Sequence, residues 1–186
     1  MAYDDGLAVW DALRSTGMIA VGIETYANSR RMEKSLRLQN ADLLTEYNLF
    51  EADLARPKVK DPDFCGKAKH VEYRQRANQP AMLCTLVMTD NVDSKGVPRF
   101  PVGNLPVMDL NTGETLVDAL GRRSYTTSIA YGPSIGKNIA LAYLPWDYAQ
   151  KGRQLLVQYF GDTYPVEVAA IGYKALYDPD NLKPRS

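Results

Sequence analysis

TTSIAYGPSIGKNIALAYLPWDYAQKGRQLLVQYFGDTYPVEV, residues 126–168, decides the fold. It holds apolar runs of strand length separated by turn chemistry. SYTTSIAY (124–131) and NIALAYLP (138–145) flank Gly132-Pro133-Ser134, and LLVQYF (155–160) and YPVEVAAIGY (164–173) flank Gly161-Asp162. Runs of four to eight β-branched and aromatic residues bounded by Gly, Pro, Asn or Asp read as strands, and a Gly-Asp dipeptide between two of them reads as a hairpin. Upstream, AMLCTLVM (81–88) is a buried strand. FPVGNLPVMDL (100–110) leads through the turn Asn111-Thr112-Gly113-Glu114 into ETLVDAL (114–120). Many short strands in succession predict a closed antiparallel barrel or a sandwich.

Before Pro80 the periodicity is helical. Asp4 and Asp5 can cap a helix from about Leu7 to Ser15 that Gly17 is placed to end, with Leu7, Trp10 and Leu13 on one face. Met18-Ile19-Ala20-Val21 is a strand or an extended entry. TYANSRRMEKSLRL (25–38) predicts a helix in which Ala27, Met32 and Leu36 face a core and Glu33 pairs with Arg37 one turn on. Residues 40–67 are polar, interrupted by Pro57 and Pro62, and long for a plain connection, which points to an interface or functional loop. A short helix after Gly66 carries Lys67 to Gln75, and Asn78-Gln79-Pro80 is a linker. The fold class is therefore α+β, with residues 1–78 as one region and 79–186 as the β-rich domain.

Composition narrows the function. The chain has 186 residues, 22 Lys plus Arg against 22 Asp plus Glu, and a net charge of zero. That balance offers no argument for nucleic acid or an anionic membrane as partner. Cys65 and Cys84 stand in separate contexts, which fits a reducing, cytoplasmic setting better than a disulfide framework. No Cys/His cluster has metal-ligand spacing. YGPSIGKN (131–138) lacks the spacing, the hydroxyl residue and the following helix of a phosphate-binding loop, so a strand-connecting turn is the reading. His70, the sole histidine, falls in the polar helix AKHVEYRQR and is expected on a solvated face. Asp61-Pro62-Asp63 and Asp178-Pro179-Asp180 read as turns and caps. Arg30, Arg31, Lys34 and Arg37 form a basic cluster, either a solvated helix face or a seat for an acidic tail. Tyr26, Tyr125 and Tyr131 could stack on a flat heterocycle.

Several segments, in order, resemble the folate-dependent aminomethyltransferase family, that of the glycine cleavage T-protein. RMEKSLRLQNADL (31–43) is similar to the family's R-L-E-x-G helix and the Asp after it, with Arg31, Glu33 and Asp42 at those positions. LFEADLA (49–55) is similar to an E-A-G-L segment, with Glu51 as its Glu. DFCGKAK (63–69) resembles the element before the last domain. Residues 126–168 resemble the T-S…S-P…K-x-I-A…Y-V-P signature and its hairpin, and ALYDPDN (175–181) resembles the close of the folate domains of dimethylglycine and sarcosine dehydrogenases. The resemblance implies a partial folate-transferase domain over 1–78, followed by the family's C-terminal antiparallel β-barrel over 79–186. It implies tetrahydrofolate as cofactor, with Tyr26, Arg31 and Glu51 facing it. It places the catalytic Asp and the pterin-anchoring carboxylate in a portion preceding this sequence, so no catalytic residue is expected here, and a missing N-terminal portion or a partner chain is. Thr25 replaces an Arg of the pattern, and Ser35 and Asp53 replace glycines. The expected role is the C-terminal portion of a one-carbon transferase, or alternatively a non-catalytic barrel subunit or interaction module that completes a site on another chain. A homo-oligomer is possible on this reading.

Overall fold

A computed structural model describes residues 3–55 and 58–182. Its centre is a six-stranded antiparallel sheet built from β1 (Ala81–Met88), β2 (Val107–Asp109), β3 (Thr126–Gly132), β4 (Lys137–Pro145), β5 (Gln154–Tyr159) and β6 (Asp162–Ile171), in the order β2-β5-β6-β1-β4-β3. The two edge strands meet. Pro106 bridges Tyr125, the Val107 N–H donates to Ser124 O at 3.0 Å, and the Thr126 N–H donates to Leu105 O at 2.8 Å. The sheet thereby curls into a barrel whose edges meet at this point, which covers much of the edge that an open sheet would leave. Register shifts at Thr85/Leu86 in β1 and Thr126/Ser128 in β3 add the local bend that closure needs.

β4 explains why the sequence reads as a continuous apolar run there. Its alternate residues enter two different cores. Ala140, Ala142 and Leu144 join Cys84, Leu86, Val107, Leu155, Val157, Val166 and Val168 inside the barrel. Ile139, Leu141 and Tyr143 face outward and pack with Met32, Ala52, Ala81 and Leu83. A strand covered on both faces has no polar face to alternate with. The cover is supplied by residues 31–55, which lie against the outer face of β1 and β4.

The helical flank departs from the expected pattern. α1 (Gly6–Ser15) forms over the expected residues, with Gly17 at φ +86° after its end, but Asp5 makes no side-chain capping bond because Tyr3–Asp5 is itself a 3-10 turn leading into the helix. The helix expected over 25–38 is a π-helical turn, Thr25–Arg30, running into a single α-turn, α2 (Arg31–Glu33). Ser35 then takes a left-handed conformation, φ +56°, and the helix stops. Glu33 consequently does not pair with Arg37. Its carboxylate accepts the Ser134 N–H and the Ser134 hydroxyl, and Arg30 lies 3.5 Å away. Met18–Val21 is exposed and joins no strand. α3 (Lys67–Gln75) follows Gly66 as expected. After β6, the chain turns at Gly172 and crosses α2, where the Leu176 and Tyr177 N–H groups donate to Glu33 O at 3.0 and 3.1 Å.

Candidate functional site

The polar groups named from sequence converge where residues 31–55 meet β3 and β4. Arg31 is the hub of one knot. Its guanidinium donates to Asp42 at 2.6 Å, Ser128 Oγ at 2.8 Å and Leu36 O at 3.2 Å, and Nε reaches Ala27 O. Asp42 is fully buried. It accepts from Ser128 Oγ at 2.7 Å, from the Leu38 N–H at 2.9 Å and from Thr127 Oγ1, while its carbonyl accepts the Tyr143 hydroxyl at 2.8 Å. Every lone pair of the carboxylate that could serve a ligand is engaged within the fold. A buried ion pair of this kind is tolerated because hydrogen bonds replace the lost water.

Glu51 is the hub of a second knot. It accepts the Asn48 N–H at 2.8 Å and the Asn48 amide at 2.9 Å, and pairs with Arg122. Arg122 also holds Asp118 at 2.7 Å and lies 4.4 Å over the Tyr47 ring. Tyr47 stacks on Tyr143, centroids 3.6 Å apart and rings nearly parallel, so aromatic contact links the two knots. Burial raises the Tyr47 and Tyr143 hydroxyls above the ordinary phenol range. Tyr125 is pushed up to about 12 by burial and by its hydrogen bond to Glu46. These phenols therefore act as protonated donors, not as bases.

Of the three residues expected to face a cofactor, the structure leaves Tyr26 open, 77% exposed in the π-helical turn, while Arg31 and Glu51 point inward. The basic cluster is dispersed. Arg31 is buried, Arg37 is half-buried against Tyr173, Lys34 binds Asp178, and Arg30 alone stays exposed. His70 sits between Phe50 and Phe64 rather than on a fully solvated face. Asp178 caps the Leu182 N–H at 2.8 Å, the structural role expected of it. Sequence reasoning missed Arg122 and Asp118, whose four-residue spacing reads as an ordinary local ion pair, and it gave no role to Thr127 and Ser128, although they stand at the T-S of the resembled signature. Their other partners, Glu51 and Asp42, lie more than seventy positions away. Among the described residues there is no group of three or more His, Cys, Asp or Glu able to hold a metal ion, and no helix is long and apolar enough to cross a membrane.

This geometry defines a class before it defines a chemistry: an antiparallel barrel whose outer face is roofed by a helix-and-loop flank and locked to it by two buried ion-pair knots. Residues 103–174 match the model of the glycine cleavage T-protein C-terminal barrel domain. The chain is 30% identical over 171 residues to human (Homo sapiens) mitochondrial dimethylglycine dehydrogenase, covering 89% of this chain and 18% of that protein. It is 29% identical over 176 residues to the aminomethyltransferase of Saccharopolyspora erythraea, covering 91% of this chain and 43% of that protein. The crystal structure of the glycine cleavage system aminomethyltransferase T from Bartonella henselae superposes with a TM-score of 0.61 at 18% identity, over 80% of this chain and 38% of that one. Together these matches support the aminomethyltransferase family for the chain, which spans less than half the length of these relatives.

Proposed function

We propose that this chain serves as the C-terminal portion of a tetrahydrofolate-dependent aminomethyltransferase or demethylase, which moves a one-carbon unit from an N-methyl or aminomethyl donor to tetrahydrofolate. The observation that carries the reading is an uncovered apolar surface. Leu7, Trp10, Leu13, Met18, Ile19, Val21, Ile23 and Tyr26 are each about half exposed or more. Large apolar side chains left exposed together along one stretch of chain fit a contact site. The surface belongs to the region preceding the barrel, on the side where a further portion of the polypeptide or a partner chain would join.

Tetrahydrofolate supplies the nitrogen that accepts the one-carbon unit. The residues of this chain do not fit it as a complete pocket. Arg31, Asp42 and Glu51 are engaged within the fold, and of the tyrosines expected to stack on a ring Tyr26 and Tyr131 stay exposed. The chain contributes a rigid wall and an aromatic face. The charged contacts and the catalytic carboxylate come from the adjoining portion. A bound heterocycle needs both kinds of contact.

Titration calorimetry with tetrahydrofolate tests this. The chain alone lacks charged partners worth roughly 2–5 kcal/mol each, about one and a half to four decades of affinity. It should bind weakly or not at all, and binding should appear in the micromolar range when the polypeptide encoded directly upstream is supplied. Micromolar binding by the chain alone overturns the shared-site arrangement. No binding by the combination overturns the folate reading and leaves the second one, a barrel module that completes a partner's site without folate chemistry. The same apolar surface supports that second reading.

A further inference from the structure

One groove opens on the side of residues 34–36 away from Asp42 and Glu51. It holds about 790 Å³ between the end of β6 and the segment 173–181, and its lining includes Lys34, Lys151, Ala169, Ile171, Lys174 and Leu176. Three features of it point the same way. The pairing of β5 with β6 stops at Gln154 opposite Glu167, and the last backbone bonds on that side join Val168 to Gly152 and Arg153. Ala169–Ile171 therefore projects beyond β5 and, among the described residues, has a strand partner on its β1 side alone, through Cys84 and Thr85. Second, the floor is small and apolar, with Ala169, Ala170, Ala175 and Ile171 leaving room for a backbone to approach. Third, the rim is cationic. Lys34 is saturated, its ammonium donating to Asp178 O at 2.7 Å, Asp178 Oδ2 at 2.9 Å and Asn181 Oδ1 at 3.0 Å, which pins the far wall. Lys151 and Lys174 are exposed and, among the described residues, have no ion-pair partner, while Asp180 is the one carboxylate on the lining.

We propose that this groove binds an extended acidic peptide by strand addition. The peptide backbone would pair with the free side of Ala169–Ile171, and its carboxylates would meet Lys151 and Lys174. An exposed strand end supplies main-chain hydrogen bonds, and flanking charges select the side chains. The chain as a whole is neutral, so a polyanion is drawn to this rim and not to the molecule in general.

The test uses the full 186-residue chain and a fluorescein-labelled hexaglutamate peptide, followed by anisotropy and by amide hydrogen exchange. Binding should protect backbone amides within 169–171. The paired substitution K151Q/K174Q should weaken binding about ten-fold, as expected for two rim contacts. Both side chains are exposed, so the fold is unaffected, and the control pair K95Q/K137Q, also exposed, should change affinity little. Hexalysine should not compete, and glutarate at equal carboxylate concentration should compete poorly because it adds no strand. The proposal is overturned if hexaglutamate does not bind, if the two lysine pairs weaken it equally, or if glutarate displaces it as well as the unlabelled peptide does. No folate is present, so the outcome is independent of the proposed one-carbon chemistry.

Discussion

The carboxylate of Asp53 occupies the space that a side chain at Gly172 would need. Asp53 Oδ2 accepts the Tyr173 N–H at 2.7 Å, and a methyl group built on Gly172 would overlap that carboxylate. Both residues are left-handed, Asp53 at φ +53° and Gly172 at φ +68°. The pair joins the loop after Glu51 to the turn that sends the chain from β6 across α2. Gly172→Ala combines backbone strain with steric overlap and should destabilise by about 2–4 kcal/mol in chemical denaturation. Asp53→Gly relieves its own strain and loses one hydrogen bond, so it should change stability by less than about 1 kcal/mol. It should also recover part of the Gly172→Ala loss. Additive effects would show that the two residues do not share this space.

Asp42 should be the most sensitive position in the flank. Its carboxylate serves Arg31, Thr127, Ser128 and the Leu38 N–H in a fully buried setting. Asp42→Ala leaves the Arg31 charge buried without its partner, a loss of about 3–5 kcal/mol. Urea denaturation followed by far-ultraviolet circular dichroism measures it. A loss under 1 kcal/mol would mean that the knot does not hold the flank to the barrel.

The barrel was legible because its signals are local. β1, β4, β5 and β6 match the apolar runs within a few residues, and the two turns lie one residue from where read: Phe160-Gly161, with Asp162 already paired to Tyr159, and 133–136, with Gly132 closing β3. ETLVDAL was less so. It contributes only the bridges Met108–Thr115 and Val117–Arg123, because its backbone groups bond within a tight loop held by Asp109 and Asp118. The flank was misread for a different reason. Helix-forming side chains continue through Leu38, but Ser35 and Asp53 stand where the family pattern has glycine, and both keep the left-handed backbone. The glycine positions of the pattern therefore located the turns even with the glycines absent. The site residues Arg31 and Glu51 were visible as motif members, yet motif membership could not show that Ser128 and Arg122, each more than seventy positions away, would engage them.

Stability should fall steeply in acid. The Val97 N–H, then Arg99 and the Lys95 N–H, hold the Asp93 carboxyl below the usual range. The Thr112 and Asn111 N–H groups do the same for Asp109. A depressed native pKa contributes stability that is fully present above the unfolded value, near ~3.9, and is lost as pH falls through the lower native value. Thermal midpoints should be flat from about pH 7 to 5 and drop below about pH 4. Asp93→Asn and Asp109→Asn should each flatten that drop. An acid slope unchanged in both variants would assign it to other carboxylates.

The two thiols should react very differently. Cys84 is fully buried inside the barrel, and burial pushes its thiol up to about 12, whereas Cys65 is exposed. Only the thiolate attacks a disulfide reagent. At pH 8 the native chain should release one equivalent of chromophore from Ellman's reagent, and Cys65→Ser should abolish it. Guanidinium should expose the second equivalent. Rapid labelling of Cys84 in the native state would mean that the barrel opens readily between β1 and its neighbours.

The uncovered face of residues 7–26 should drive self-association when nothing else covers it. No residue of α1 is buried, and Ile19, Ile23 and Tyr26 are 87%, 80% and 77% exposed. Met32, expected to face a core, is fully buried against the barrel, whereas Leu36, expected there with it, is 45% exposed. Apolar area left in water favours pairing with a second copy at roughly 25 cal/mol per Å² buried, less the cost of association. Sedimentation equilibrium should show dimers or larger species at tens of micromolar. Ile19→Asp combined with Ile23→Asp should shift the chain to monomer and leave its thermal midpoint nearly unchanged, because neither side chain contributes to the barrel or to the packing of residues 31–55. A fall of the midpoint by more than a few degrees would show that this segment packs on the body of the molecule. A monomer at all concentrations would remove the apolar surface as an argument for a covering partner. If the proposed adjoining portion covers the same face, adding it should dissolve the self-association, and the two aspartate substitutions should weaken its binding.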